Sequence, residues 1–170
     1  PDNFFRVIEL EETDSTNNYL SQLAHRDQIE EFTVVTAGFQ TAGKGQKGNR
    51  WYSKPDENLL FSVLLKPHFI LPAEQFILSQ IIALSIKKEL DNYSSNFTIK
   101  WPNDVFWRNR KIGGILIENN ITNSQISESI IGVGININQK EFSLEAGSPV
   151  SFYQITGNTL DKNILLQRIM

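Results

Sequence analysis

Cysteine is missing from all 170 residues, which removes disulfides, thiolate metal sites and cysteine nucleophiles at once. That fits a reducing compartment, and cytoplasmic residence is the expectation. A surplus of positive charge is missing too. The net charge is −3 with 21% charged residues, so no global basic field draws the chain to nucleic acid or to an anionic membrane, and any positive patch must be local. No apolar run approaches the roughly 20 residues that a spanning helix needs. The N-terminal PDNFFRVIEL lacks a basic region followed by an apolar core, so it does not read as a targeting segment. Repeats, low-complexity tracts and long linkers are absent as well. What remains, 40% hydrophobic and 11% aromatic residues, is enough for a substantial core, and one compact domain is the default.

Phe4 to Leu10 looks extended, and Asp14 or Ser15 then caps a short helix through about His25, with Tyr19, Leu20 and Leu23 near one face. Phe32 to Phe39 reads as a strand. It runs into Gln40 to Arg50, where three glycines and several polar residues argue against regular structure. Leu59 to Leu65 is a buried strand ended by Pro67, and Pro72 starts a helix reaching about Tyr93, whose Ile77, Ile81 and Leu84 share a face expected to pack on the core. Phe97 to Trp107 and Ile112 to Asn119 read as two strands around a tight polar turn at Arg108 to Arg110, and Ile126 to Ile137 as further strand. From Leu160 a helix begins, with Leu165, Leu166 and Ile169 apolar. Consecutive strands mixed with flanking helices predict an α+β sheet domain.

Three segments carry chemistry. In Gly38 to Trp51, Gly38 to Lys44 has P-loop spacing, but Gly45 stands where that motif needs a hydroxyl. Gly43, Gly45 and Gly48 fit GxGxxG, but Trp51-Tyr52-Ser53-Lys54-Pro55 follows where a helix must open. What survives is a glycine-rich backbone that a ligand can approach closely, with Lys44, Lys47 and Arg50 adding positive charge. An anionic ligand is implied; a solvated surface loop is the plain alternative.

The second segment joins Lys100-Trp101-Pro102-Asn103-Asp104 to Lys111 through Glu118. Two lysines, an Asn and an Asp beside a proline-constrained strand can gather phosphate charge and a divalent cation, an ATP-compatible set. Gly113 and Gly114 interrupt an aliphatic strand, either for close approach of a ligand or backbone or as a plain bulge. In the third, Gly132 to Asn138, Asn136 and Asn138 alternate along a strand and so share a face. They could read a purine edge or ribose, or simply be hydrogen-bonded asparagines at a strand end.

Together with Asp14-Ser15-Thr16-Asn17, these segments resemble the biotin protein ligases. That family's signature runs as a Ser-Thr-Asn helix start, a GRGRxGRxW-type loop, KWPND, a Lys-x-Gly-Gly-Ile strand and a GxGxN strand. The resemblance covers roughly residues 8 to 140. It implies an α+β fold similar to class II aminoacyl-tRNA synthetases, a mixed β-sheet with flanking helices. It also implies ATP-dependent ligation of biotin to a lysine of a carboxylase's biotin carboxyl carrier domain through biotinyl-5′-AMP, with Mg²⁺. By matching motif, Ser15, Thr16, Asn17, Gln40, Gly43, Lys44, Gly45, Gln46, Lys111, Gly113 and Gly114 fall to biotin. Lys47, Trp51, Asn103, Asp104 and Asn136 fall to ATP or the adenylate, Asp104 to the metal, and Lys111, Lys44 and Lys100 to catalysis.

Lys44, Gln46, Lys47 and Asn49 stand at loop positions where the family commonly has arginine; lysine keeps the charge without the bidentate fork, and Gln and Asn lose it. Residues 1–170 are expected to be the catalytic domain, cut short at the C-terminus. Neither an N-terminal DNA-binding domain nor the C-terminal SH3-like domain of the family is expected. The expected partner is the carrier, with a homodimer allowed and neither DNA nor membrane binding. Lipoate protein ligase and a non-enzymatic biotin or biotinyl-adenylate sensor are the alternatives. Octanoyl transferases of the superfamily need a cysteine, which is missing.

Overall fold

A computed structural model describes residues 4–143 and 148–170. Its framework is a seven-stranded mixed sheet in the order β1-β2-β3-β7-β6-β5-β4, with only β1 and β2 parallel and every other neighbouring pair antiparallel. The strands are β1 (Arg6–Thr13), β2 (Thr33–Gln40), β3 (Leu59–Leu65), β4 (Phe97–Lys100), β5 (Asp104–Trp107), β6 (Arg110–Thr122) and β7 (Gln125–Ile135). The helices are α1 (Thr16–Arg26), α2 (Phe76–Leu90), α3 (Phe152–Thr156) and α4 (Lys162–Ile169). The expected α+β class is found. Among the described residues, no helix is long and apolar enough to cross a membrane.

Alternation along the central strands separates two faces. On one, Leu59, Phe61, Val63, Ile131, Val133 and Ile135 join α2 and α4 in the main core. On the other, Leu64 and Ile130 meet Leu20 of α1 and Val35 of β2 in a smaller cluster. Helix α1 therefore lies on the second face and brings its N-terminus to the middle of the sheet. Ser15 is its N-cap in extended backbone, but its side chain makes no capping bond; the Thr16 N–H instead donates to Gln40 Oε1 at the end of β2, 2.8 Å away. Helix α4 is capped by Asp161, whose carboxylate accepts from the Asn163 and Ile164 amides, and it buries the apolar Leu165, Leu166 and Ile169.

Four expectations need correction. Ile77, Ile81 and Leu84 are 44%, 55% and 57% exposed, while Leu78, Ile82, Ala83, Ile86 and Leu90 face the core. Both faces of α2 are apolar, so helical periodicity could not choose between them. Pro72 begins a short 3₁₀ turn, Pro72–Glu74, rather than α2 itself. Phe97 to Trp107 is a hairpin, not one strand: β4 and β5 pair antiparallel around Trp101-Pro102-Asn103, where the Trp101–Pro102 peptide is cis. Finally, β7 stops at Ile135, so Asn136 and Asn138 lie beyond the strand.

The α2 assignment makes a stability prediction. Ile82→Ala should cost about 2–5 kcal/mol, as truncation of a buried aliphatic does, whereas Ile81→Ala should stay within about 1 kcal/mol. Urea midpoints of the two variants measure this, and equal losses would place both residues in the core.

Candidate active site

The cavity lies on the α1 face of the sheet and has a volume of about 360 Å³, inside the range of roughly 300–1,000 Å³ usual for small-molecule sites. Its floor is made by residues without side chains. Gly114 of β6 pairs with Gly134 of β7, and Gly132 pairs with Leu116, so the three glycines form a bare patch on one face. A methyl on Gly134 would lie 2.5 Å from Trp51 Cε2 and one on Gly114 would lie 3.2 Å from Trp51 Cζ3, while one on Gly132 would collide with Asn17 Oδ1. The indole of Trp51 thus occupies the space of two missing side chains, and Asn17 that of a third.

At one end, Ser15, Thr16 and Asn17 are all buried, although polar. The Thr16 N–H donates to Gln40 Oε1 at 2.8 Å, and the Thr16 hydroxyl oxygen lies 3.1 Å from the same atom. Ser62 of β3, fully buried, lies 2.7 Å from Thr16 Oγ1 and donates to Asn17 Oδ1 at 2.6 Å. Asn17 Nδ2 donates to Glu118 Oε2 at 2.7 Å. Just ahead of α1, hydrogen bonds from Asn18 and the Ser15 amide outweigh partial burial and hold the Asp14 carboxyl below its usual range.

Over this end lies the glycine-rich loop, which is more regular than expected. Lys44 and Arg50 form an antiparallel bridge, the Gly45 N–H donates to Asn49 O at 2.7 Å, and the Trp51 N–H donates to Gly43 O at 3.0 Å. The turn between them is a single 3₁₀ turn, Gln46–Gly48, with Lys47 and Gly48 both at positive φ. Gly43 is required where the two arms meet, because a methyl there would lie 2.5 Å from Trp51 O.

At the other end, the Lys111 Nζ sits 2.7 Å from Asp104 Oδ1 and 5.7 Å from the Trp51 ring centroid. Asn103 holds the β4–β5 turn against β6: its amide donates to Ile115 O at 2.7 Å and its carbonyl accepts from the Ile115 N–H. Lys44, Lys47, Arg50 and Lys111 all line the cavity, and Asp104 is the sole carboxylate among the described lining residues. An anion is the ligand such a wall favours.

Most of the sequence-derived set converges here. Ser15, Thr16, Asn17, Gln40, Lys44, Gly45, Gln46, Lys47, Trp51, Asn103, Asp104, Lys111 and Gly114 all line the cavity. Four residues do not. Gly43 acts through the loop closure just described. Gly113 turns to the opposite side of β6, where a methyl would lie 3.2 Å from Gly134 O, so it serves a close backbone approach, while the adjoining β5–β6 register shift falls at Ile112. Lys100 ends the edge strand β4, with its Nζ 5.0 Å from the Phe106 ring centroid. Asn136 is buried, donates to Val150 O at 3.2 Å, and borders an adjoining hollow that shares Arg50, Trp51 and Lys111 with the cavity. Asn138 clamps Leu160 through both backbone groups, so the two asparagines do not act as a pair. Sequence reasoning missed the floor glycines Gly132 and Gly134. Alternate glycines in an aliphatic strand are the signal that marks them.

This chain belongs to the biotin/lipoate A/B protein ligase family, whose model matches residues 9–136. It is 30% identical over 159 residues to the bifunctional ligase/repressor BirA of Salmonella typhimurium, covering 92% of this chain and 49% of that protein. It is 32% identical over 160 residues to the biotin–[acetyl-CoA-carboxylase] ligase of Paracoccus denitrificans, covering 89% and 65%. The chain thus spans about half the length of the first of these relatives and two thirds of the second. Among solved structures, the biotin protein ligase of Aquifex aeolicus in complex with biotin and ATP superposes with a TM-score of 0.82 at 32% identity, covering 98% of this chain and 67% of that one.

Seating of Trp51 on Gly134 is directly testable. With Trp101 and Trp107 replaced by Phe, Gly134→Ala should expel the remaining indole and shift its emission to longer wavelength. Unchanged emission would mean that Trp51 rests elsewhere.

Proposed function

We propose that this chain is the catalytic part of an enzyme that activates biotin with ATP to biotinyl-5′-AMP and transfers the biotinyl group to a lysine of a carboxylase's carrier domain. One observation carries the reading: Lys111 and Trp51 border both the cavity that begins at Ser15–Asn17 and the hollow bordered by Asn136. A neutral hydrogen-bonding pocket, a cationic midpoint and a second compartment suit an acid with a polar head whose carboxylate must meet a nucleotide phosphate. The Paracoccus and Aquifex relatives, named for biotin ligation and biotin with ATP, support biotin over lipoate.

In this reading the ureido head of biotin binds among Ser15, Thr16, Asn17 and Gln40, and the carboxylate lies at Lys111. Two anions must be brought together against their repulsion. Lys111, Lys44 and Lys47 lower that barrier by neutralising charge, and the loop excludes water that would hydrolyse the mixed anhydride. The biotin carboxylate attacks the α-phosphorus of ATP, and pyrophosphate leaves. The carrier's amine then attacks the acyl carbon, AMP leaves, and the amine's proton is lost to solvent. No protein side chain forms a covalent bond.

Among the described residues no cluster of three His, Cys, Asp or Glu side chains could hold a metal by itself. Mg²⁺ commonly takes one carboxylate and completes its shell with phosphate and water, so Asp104 fits as its protein ligand. The ion would supply charge neutralisation at the phosphates. With it present, Asp104 would exchange its Lys111 partner for the metal, leaving the ammonium free for the substrate anion.

Pyrophosphate release from ATP with biotin, with lipoate and with no acid tests the reading. Biotin-dependent release is expected, and equal release with lipoate or none would overturn it. Lys111→Ala should slow that release by about 100-fold or more, the usual cost of losing a preorganised charge partner. A near-normal rate would remove Lys111 from the role.

The loop makes a separate prediction. Hydrogen exchange across residues 40–51 should slow on binding a non-hydrolysable biotinyl-adenylate analogue, and slow less at high salt, because Lys44, Lys47 and Arg50 lose mutual repulsion when a phosphate arrives. Equal protection with and without bound analogue would make the loop a static wall.

A further inference from the structure

Glu118 lies outside every role given so far, yet it ends the hydrogen-bonded chain that begins at Gln40. Gly114 and Leu116 line the cavity, and Glu118 follows them at alternate positions on β6, on the same face of the strand just beyond the cavity's edge. Its Oε2 accepts from Asn17 Nδ2 at 2.7 Å, and its Oε1 lies 3.5 Å from Lys44 Nζ. With side chains 46% and 41% exposed, the Glu118–Lys44 pair contributes little to stability. The bond to Asn17 is different in kind, because Asn17 is only 3% exposed and its amide must find buried partners of the right polarity.

Both ends of the chain are fixed by groups that cannot change role. At one end the Thr16 backbone N–H can only donate, so Gln40 must turn Oε1 toward it and Nε2 away, toward Gly43. At the other end an ionised carboxylate can only accept, so Asn17 must turn Nδ2 toward Glu118 and Oδ1 toward Ser62. Ser62 then spends its one proton on Asn17, and its oxygen is left to accept from Thr16. Without Glu118, the nearest other acceptor for Asn17 Nδ2 is Leu116 O, at 3.4 Å, and the amide would lose its charged anchor.

We infer that Glu118 is a positioning residue: it fixes the amide of Asn17, and through Ser62 and Thr16 the donor–acceptor order of the pocket that receives the ligand's polar head. A ureido group offers one carbonyl acceptor and two N–H donors, so it binds well only where that order is held ready. This rests on the biotin reading above, and it concerns the head of the ligand rather than its reacting carboxylate. Glu118 therefore affects binding and leaves the chemical step alone.

Two variants of similar length separate the acceptor from the charge. Glu118→Gln keeps an oxygen that can accept from Asn17, whereas Glu118→Met keeps none. Biotin titrated calorimetrically into Glu118→Met should bind about tenfold or more weakly, the scale of losing a charged hydrogen bond. Glu118→Gln should stay within about threefold, and kcat for pyrophosphate release at saturating biotin should stay within about twofold of the unaltered chain in both. Equal weakening in both variants would assign the effect to charge facing Lys44 and overturn the inference. Unaltered affinity in Glu118→Met, or a fall in kcat at unchanged KM, would overturn it as well. The titration of the unaltered chain tests the biotin reading separately, since failure to bind biotin there would sink that reading whatever the variants do.

Discussion

The cavity exists because three neighbouring positions on one face of the sheet carry no side chain. Strands in the centre of a sheet ordinarily cover both faces, and here Gly114, Gly132 and Gly134 leave a bare patch beside fully packed aliphatics. Everything that forms the site uses that space. Asn17 enters over Gly132, Trp51 lies across Gly134 and Gly114, and Lys111 reaches the same patch with its Nζ 3.2 Å from where a Gly114 methyl would sit. The opposite face keeps Ile115, Val133 and Ile135 in the main core, so the strands lose packing on one side only.

From that patch the site divides by polarity. The end under α1 is a neutral network of amides and hydroxyls, buried and satisfied internally, as buried polar groups must be. The other end holds the half-buried Lys111–Asp104 ion pair, and the loop over the cavity adds three cations. A ligand with a polar head and an anionic tail is matched in that order. The loop's own hydrogen bonds explain how a glycine-rich, like-charged segment keeps a definite form: Gly43, Gly45 and Trp51 tie its arms together while Lys47 and Gly48 make the turn.

The α2 surface shows how the same physics misleads when read in one dimension. Ile77, Ile81 and Leu84 have helical spacing and so do Leu78, Ile82 and Ile86, and only the placement of α2 against β4, β5, β6 and α4 decides which stripe is buried. Trp101 and Pro102 border both the cavity and the exposed stripe, so one hairpin turn connects the two surfaces.

The sequence by itself determined the mixed sheet-and-helix class and the positions of β3, α1 and α4, and the resemblance of its motifs supplied more than half of the cavity wall, though not the floor glycines Gly132 and Gly134. Those depend on local signals: period-two and period-3.6 apolar patterns, a polar cap before a helix, glycines and basic residues close together in the chain. Tertiary structure alone decided the buried face of α2, the hairpin at Trp101–Asn103, the separation of Asn136 from Asn138, and the exclusion of Lys100 and Gly113 from the wall. It also brought Glu118 to Asn17 across 101 residues of chain. Each of these turns on which strand or helix lies beside which, and a contact between residues so far apart leaves no periodic trace for local pattern to reveal.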